Sequence, residues 1–250
     1  MNKHELMEYL LKEEKKAFTG WDFSYLDRRY MDTKPPWNYK DIIGKYNKPN
    51  YKLLDMGTGG GEFIRALGHP YSLISVTESY EPNLTLCRKV LSPLGIDVRK
   101  TEEEEKLPFD DESFDIVINR HESFAMDEVR RVLKKQGYFI TQQVGGKNNT
   151  ALSKRLIEDF KEPFPDHDLK HNIELIEKSG FTILESGESF LPSYFHDIGA
   201  VVYLAKILVW EFPGFSVSKC FDKLWHMEEE LSEKGFIEAM EHRFYIAAMK

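Results

Sequence analysis

The sequence predicts an α/β fold with a doubly wound, mostly parallel seven-stranded sheet, an N-terminal helical leader and a C-terminal helical insertion. Three observations predict it. Short apolar runs alternate with helix-patterned segments from residue 51 onward, a glycine-rich turn follows the first run, and an acidic residue closes the second.

Residues 3 to 17 read as a helix, and the aromatic-rich stretch after them carries Pro35 and Pro36, which break any regular element. Residues 1–48 are thus expected to form a leader that caps a site in the domain spanning 49–250. Tyr51 to Met56 is short and apolar and reads as a central strand buried on both faces. Tyr71 to Thr77 is the second strand. Pro82 then opens a helix to Leu91, since proline in the first turn costs no hydrogen bond. Ile96 to Arg99 and Phe114 to Asn119 are the third and fourth strands. Met126, Val129 and Val132 mark a helix, and Gly137 is placed as its C-cap before the strand Tyr138 to Val144. Helices follow near Thr150 to Phe160 and Leu169 to Ser179, then a strand from Phe181 to Leu184. Two further helices, N-capped by Asp197 and ended by Gly235, form an insertion at about 194–235 that reads as a lid, before a last strand from Phe244 to Met249.

The bulk numbers limit the function classes. With 250 residues, 41% of them hydrophobic, the chain can bury one sizeable core. A net charge of −8 argues against a broad phosphate-binding surface, so no nucleic-acid partner is expected. Two cysteines, Cys87 and Cys220, are too few for a disulfide framework. The charged amino terminus lacks the apolar region of a signal peptide, and the longest apolar stretch, Ile198 to Trp210, is broken by Lys206 and too short to span a bilayer. A cytoplasmic protein without a membrane partner, monomeric or homodimeric, is the expectation.

The strongest local signal is LLDMGTGGGEF, residues 53 to 63, in which a strand runs into Asp55, Gly57, Thr58, Gly59 and Gly61 before a short helix. Glycine there permits a tight turn and close approach of a ligand, and the helix start offers unpaired N–H groups. An ordinary structural turn is the plain alternative. Glu78 ends the next strand, 21 residues after Gly57, where a carboxylate can accept the hydroxyls of a ribose. Together the two point to a nucleoside ligand.

On these residues, with KLPFDDESFDIV at 106 to 117, RVLKKQGYF at 131 to 139 and EKSGF at 177 to 181, the chain resembles the class I S-adenosylmethionine-dependent methyltransferases. The subgroup resembled is the one that includes the ubiquinone and menaquinone biosynthesis C-methyltransferases, and the likeness covers roughly residues 50 to 185. It implies a Rossmann-like fold, S-adenosylmethionine as cofactor and a small-molecule methyl acceptor. It also implies that Asp55, Gly57 and Gly59 hold the methionine end, with Thr58 and Gly61 in the same cofactor set, and that Glu78 holds the ribose. Ser79 and Tyr80 border the adenine, Glu103 or Glu104 contacts it, and Asn119 belongs to the same cofactor set.

Dinucleotide oxidoreductases share a glycine turn between strand and helix, but GTGGGE lacks their helix-packing spacing, and Asp55 stands where it could meet an amino group instead of a pyrophosphate. A noncatalytic adenosylmethionine binder is a further alternative. An RNA or protein methyltransferase is disfavoured by the acidic charge and by NRHE after the fourth strand, where many base-methylating enzymes carry Asn-Pro-Pro-aromatic.

A sulfonium methyl is already electrophilic, so the protein's main task is to place the acceptor and exclude water. His121, at the end of the fourth strand beside Asn119 and Glu122, is the first candidate for general base or orienter. His196, ahead of the insertion, is the second. Gln142 and Gln143 end the fifth strand and could add polar contacts. Trp21, Phe23, Tyr30, Trp37, Tyr194 and Phe195 are candidate pocket aromatics or ordinary packing. His167 and His171 with Asp166 and Asp168 span a loop and a helix start, and no metal site is assigned to them.

Overall fold

A computed structural model describes residues 1–18, 21–101 and 106–250 of the chain. Glu103 and Glu104 therefore lie outside the described residues. The chain divides into two compact units, residues 1–35, 145–166 and 189–242 in one and residues 36–144, 167–188 and 243–250 in the other.

The first unit begins with α1 (Lys3–Glu14), whose Asn2 and Glu5 make a reciprocal capping box, and β1 (Tyr30–Asp32). In the second unit α2 (Tyr39–Tyr46) is capped by Asn38 and precedes the alternating core. That core runs β2 (Leu53–Met56), α3 (Glu62–Ala66), β3 (Ile74–Glu78), α4 (Glu81–Val90), β4 (Asp97–Lys100), β5 (Phe114–Arg120), α5 (Met126–Val132) and β6 (Leu133–Val144). Then come α6 (Thr150–Leu156), α7 (Leu169–Lys178), β7 (Thr182–Phe195), α8 (Ile198–Ile207), α9 (Val217–Lys234) and β8 (Ile237–Met249). Both β7 and β8 run through residues of both units.

In the second unit the strand order is β7-β8-β6-β5-β2-β3-β4. β5, β2, β3 and β4 are joined in parallel, as are β5 and β6, while β8 runs antiparallel to β6. Strand alternation sends the two sets of side chains to opposite faces. One layer gathers Leu53, Val76, Ile116, Ile118 and Ile140 with Ile42, Ile64 and Cys87 from α2, α3 and α4. The other gathers Leu54, Met56, Val117 and Phe139 with Val129 and Ile176 from α5 and α7. Helices on both faces of a mostly parallel sheet are the predicted doubly wound arrangement.

In the first unit β1 pairs antiparallel with the end of β7, Tyr30 opposite Phe195, which brings the strands to eight. Leu6 and Leu10 of α1, Leu152 and Leu156 of α6, Val201 and Tyr203 of α8 and Leu224 and Met227 of α9 share one core. Residues 1–35 of the leader and the insertion, which the sequence presents as separate caps, are thus parts of one body with α6, whereas α2, also in the leader, belongs to the second unit. Arg29 lies at its polar centre and bonds Asp197, Glu13 (3.1 Å) and the Tyr9 hydroxyl (3.1 Å). Asp197 caps α8 through the N–H of Gly199 (2.7 Å) and Ala200 (3.2 Å).

Several boundaries differ from expectation. Gly137 is not a helix C-cap: α5 ends at Val132 and Gly137 lies inside β6, where a Cβ would fall 2.9 Å from the Lys134 carbonyl oxygen and 3.2 Å from that of Asp115. Close backbone approach requires the glycine there. β7 and β8 extend far beyond the short runs Phe181 to Leu184 and Phe244 to Met249. Among the described residues no helix is long and apolar enough to cross a membrane.

Candidate active site

The site is built in the second unit at the carboxyl ends of β2, β3, β5 and β6. Gly57, Gly59 and Gly61 all take positive φ (66°, 62° and 81°), a conformation that costs an L-residue about 1–2 kcal/mol. The turn is pinned by Thr58 N–H donating to the Thr77 carbonyl and Gly61 N–H to the Thr58 carbonyl, each at 3.1 Å. At Gly57 space is limiting as well, since a Cβ would stand 2.5 Å from Cγ of Glu122.

Glu78, buried at the end of β3, ties the turn to the next loop. Its Oε2 accepts from Gly59 N–H (2.8 Å), and its Oε1 accepts from the N–H groups of Ser79 (3.0 Å) and Tyr80 (2.9 Å). Three N–H donors use most of a carboxylate's roughly four acceptor positions, so a ribose diol would share this carboxylate with the loop. Cys87 closes the underside of the turn, its Sγ donating to the Gly59 carbonyl at 3.0 Å.

Asp55 is buried on the same face two positions before Gly57. Burial pushes its carboxyl up to about 6; the Thr58 side chain and the Arg120 cation pull the other way, and Glu78 adds to the rise. A buried carboxylate held above its ordinary range is relieved when a cation arrives.

Alternation and register sort the remaining candidates. Ile118 stands opposite Asp55, so Arg120, two residues on, shares that face, and its guanidinium stacks 4.5 Å from the Phe63 ring. Arg120 pairs with Gln142, which pairs with Tyr245 across β8. His121 would point to the opposite face as the next residue. Its left-handed backbone (φ +61°) turns the ring back, with Nε2 3.2 Å from Gln142 Nε2. Desolvation by the surrounding protein, with the Arg243 and Arg120 cations nearby, holds its pKa well below the usual histidine range. It is neutral at pH 7.

Asn119 lies on the other face, opposite Met56. Its Oδ1 accepts from Thr141 Oγ1 (3.0 Å) and Gln143 Nε2 (2.6 Å), and Gln143 also donates to the Glu122 carbonyl at 3.0 Å. The Nδ2 of Asn119 is buried without a hydrogen-bond partner, a donor suited to a ligand oxygen. Beneath the ends of β5 and β6, Tyr39 donates to the carbonyls of Asn119 and Ile140 at 2.9 Å and accepts from Asn119 N–H at 3.2 Å.

The structure thus groups Asp55, Gly57, Thr58, Gly59, Gly61, Glu78 and Ser79 around one turn, sets His121 and Gln142 on the same face, and places Asn119 on the other. His196 belongs to the first unit, where its Nδ1 meets the Gly235 carbonyl at 3.2 Å, and Asp197 serves as a helix cap. Phe195 is buried against Tyr30, with ring centroids 4.6 Å apart. Asp168 caps α7 and holds His171 Nδ1 at 2.8 Å, and among the described residues no group of three or more His, Cys, Asp or Glu is placed to hold a metal. Arg120 and Tyr39 escape a reading of the sequence. Strand parity from Asp55 could have found Arg120, whereas Tyr39 sits in a stretch that shows no regular pattern.

This cradle fits S-adenosylmethionine. A desolvated acid, a left-handed glycine turn with open space at Gly59 and a strand-end carboxylate suit a cationic amino-acid end joined to a nucleoside. Residues 54–141 match the family described as Methyltransferase domain. A phthiotriol/phenolphthiotriol dimycocerosates methyltransferase of Mycobacterium tuberculosis is 35% identical over 88 residues, 32% of this chain and 32% of that protein, so the match spans about a third of the relative's length. Among solved structures, a Bacillus halodurans C-125 protein described as a candidate methyltransferase superposes with a TM-score of 0.57 at 18% identity, over 85% of this chain and 98% of that one. YcgJ of Bacillus subtilis gives 0.55 at 16%, over 85% and 97%. The cyclase SpnF gives 0.52 at 14%, over 84% and 80%, so the fold alone does not fix the reaction. The matched segment and the shared fold lead to one conclusion: residues 54–141 are those of a methyltransferase domain, set in a Rossmann-like α/β fold.

Proposed function

We propose that the protein transfers a methyl group from S-adenosylmethionine to a small molecule in the cytoplasm. The observation that carries this reading is the pairing of Glu78 with the glycine turn through Gly59 N–H, which sets a strand-end carboxylate beside a backbone cradle. The bound cofactor would supply a methyl carbon made electrophilic by its sulfonium.

The chain's own residues do the rest. Asp55 and the turn would receive the methionine end, and Glu78 the ribose. Gly57 keeps the floor low enough for close approach, and Glu122 stands above it. His121, neutral at working pH, orients the acceptor at the rim. The negative net charge and the phthiotriol/phenolphthiotriol dimycocerosates named for the M. tuberculosis relative support an acceptor other than nucleic acid.

The test is incubation of the protein with trideuteromethyl-labelled adenosylmethionine and a pool of cellular small molecules, read by mass spectrometry. The expected result is the labelled methyl on a small molecule, lost in His121→Ala. Label found only in RNA or protein, or binding without transfer to anything, would contradict the proposal.

A further inference from the structure

The rim of the site contains a chain of hydrogen bonds whose direction is fixed by chemistry. Indole N–H can only donate, and Trp37 Nε1 donates to Gln142 Oε1 at 2.9 Å. The Gln142 amide must therefore present its NH₂ on the other side, where Nε2 lies 3.2 Å from His121 Nε2. An amide nitrogen accepts nothing, so His121 Nε2 is the acceptor of that bond and the imidazole proton resides on Nδ1. Both ends of the chain are held. Trp37 packs on Tyr245 with centroids 4.9 Å apart, and His121 N–H donates to the Gln142 carbonyl at 2.8 Å.

The cations at this rim share its geometry. Arg120 is the register partner of Gln142 on β5. Across β8, Gln142 faces Tyr245 and Val144 faces Arg243, so Arg243 is two residues from Tyr245 on the same side of the sheet. The acids Asp55 and Glu78 gather at the glycine turn on β2 and β3, and Glu122, after β5, stands over Gly57, while Arg120 and Gln142 lie at the ends of β5 and β6 and Arg243 lies midway along β8, opposite Val144.

We propose that Trp37 and Gln142 hold His121 as its Nδ1–H tautomer, so that His121, with Arg120 and Arg243, forms a donor rim that binds the methyl acceptor through an oxyanion such as a carboxylate, phenolate or enolate. His121 then orients a negatively charged oxygen and is not the group that removes a proton. Trp37 and Gln142 are positioning residues that act through His121. The inference rests on the methyl-transfer reading only for the role of the bound molecule; the tautomer and the anion preference exist without cofactor.

The experiment is ¹⁵N NMR of the ¹⁵N-histidine-labelled full-length protein, with His121 assigned by its loss in His121→Gln. In the native protein Nδ1 carries the proton and Nε2 gives the signal of an unprotonated ring nitrogen. In Gln142→Glu the carboxylate accepts in place of donating, and the proton moves to Nε2. In Trp37→Phe, which frees the amide to turn, the tautomers mix. Benzoate, as an anionic probe, shifts the His121 signals saturably and at least ten-fold more tightly than benzamide. A native Nε2–H tautomer, a tautomer unmoved by Gln142→Glu and Trp37→Phe, or equal or absent responses to the two probes would overturn the proposal. Failure to bind adenosylmethionine would remove the methyl-transfer reading and leave these results standing.

Discussion

At the residue scale the site is a balance between solvation and function. Asp55 is held above its ordinary pKa by burial, so its contribution to stability is fully present below about pH 3.8 and is lost as the pH rises through about 6. At pH 7.5 the ionised carboxylate therefore destabilises the ligand-free protein by about 2–3 kcal/mol. Asp55→Asn should raise the melting temperature at pH 7.5, with the gain shrinking toward pH 4, while weakening adenosylmethionine binding at least ten-fold; calorimetry on both forms reads the two effects. His121 has the opposite sign. Its lowered pKa leaves stability intact above the unfolded value near 6.5 and erodes it as the pH falls below that, so His121→Gln should resist acid unfolding better than the native chain. Gly57→Ala meets both a left-handed backbone and the Glu122 side chain, and should cost about 1–2 kcal/mol in denaturant unfolding as well as most cofactor affinity. The acids and glycines of this turn were legible in the sequence because their residue types and spacing state the chemistry. The bent backbone of His121 was not, because a single left-handed residue leaves no periodic trace.

At the element scale the legible parts are those with strong patterning. β2, β3 and β5 are short, apolar and bounded by turn residues, and α4 carries its proline in the first turn. The second halves of the long strands were hidden. β7 reads ESGESFLPSYF after its apolar start, with buried, half-buried and exposed positions intermixed and a proline. β1 has three residues and depends wholly on its pairing with β7. α2 follows a double proline that signals a break, yet its Tyr39 serves the site from below. Removing that hydroxyl leaves backbone groups of Asn119 and Ile140 short of a partner, so Tyr39→Phe should cost about 1–3 kcal/mol and speed amide exchange at Asn119. In the first unit Asp197 joins the cap of α8 to Arg29. Asp197→Ala should lower stability by about 2 kcal/mol in denaturant unfolding, with Glu13 still holding part of the guanidinium's charge.

At the scale of the whole molecule, the doubly wound sheet follows from alternation alone, whereas the division into two units does not. Three separated stretches, residues 1–35, 145–166 and 189–242, build the first body, and their partnership depends on a shared core that no local pattern announces. The family match at 54–141 falls wholly within the second unit, where the glycine turn, Asp55 and Glu78 reside. Binding of S-adenosylmethionine by the second unit through Glu78 and the turn is tested most directly by calorimetric titration of the full chain. The expected result is saturable one-to-one binding of S-adenosylmethionine, no comparable binding of NAD or NADP, and a loss of at least ten-fold in affinity in a folded Glu78→Ala variant. Well-folded protein that ignores adenosylmethionine, or that prefers NAD, would contradict it.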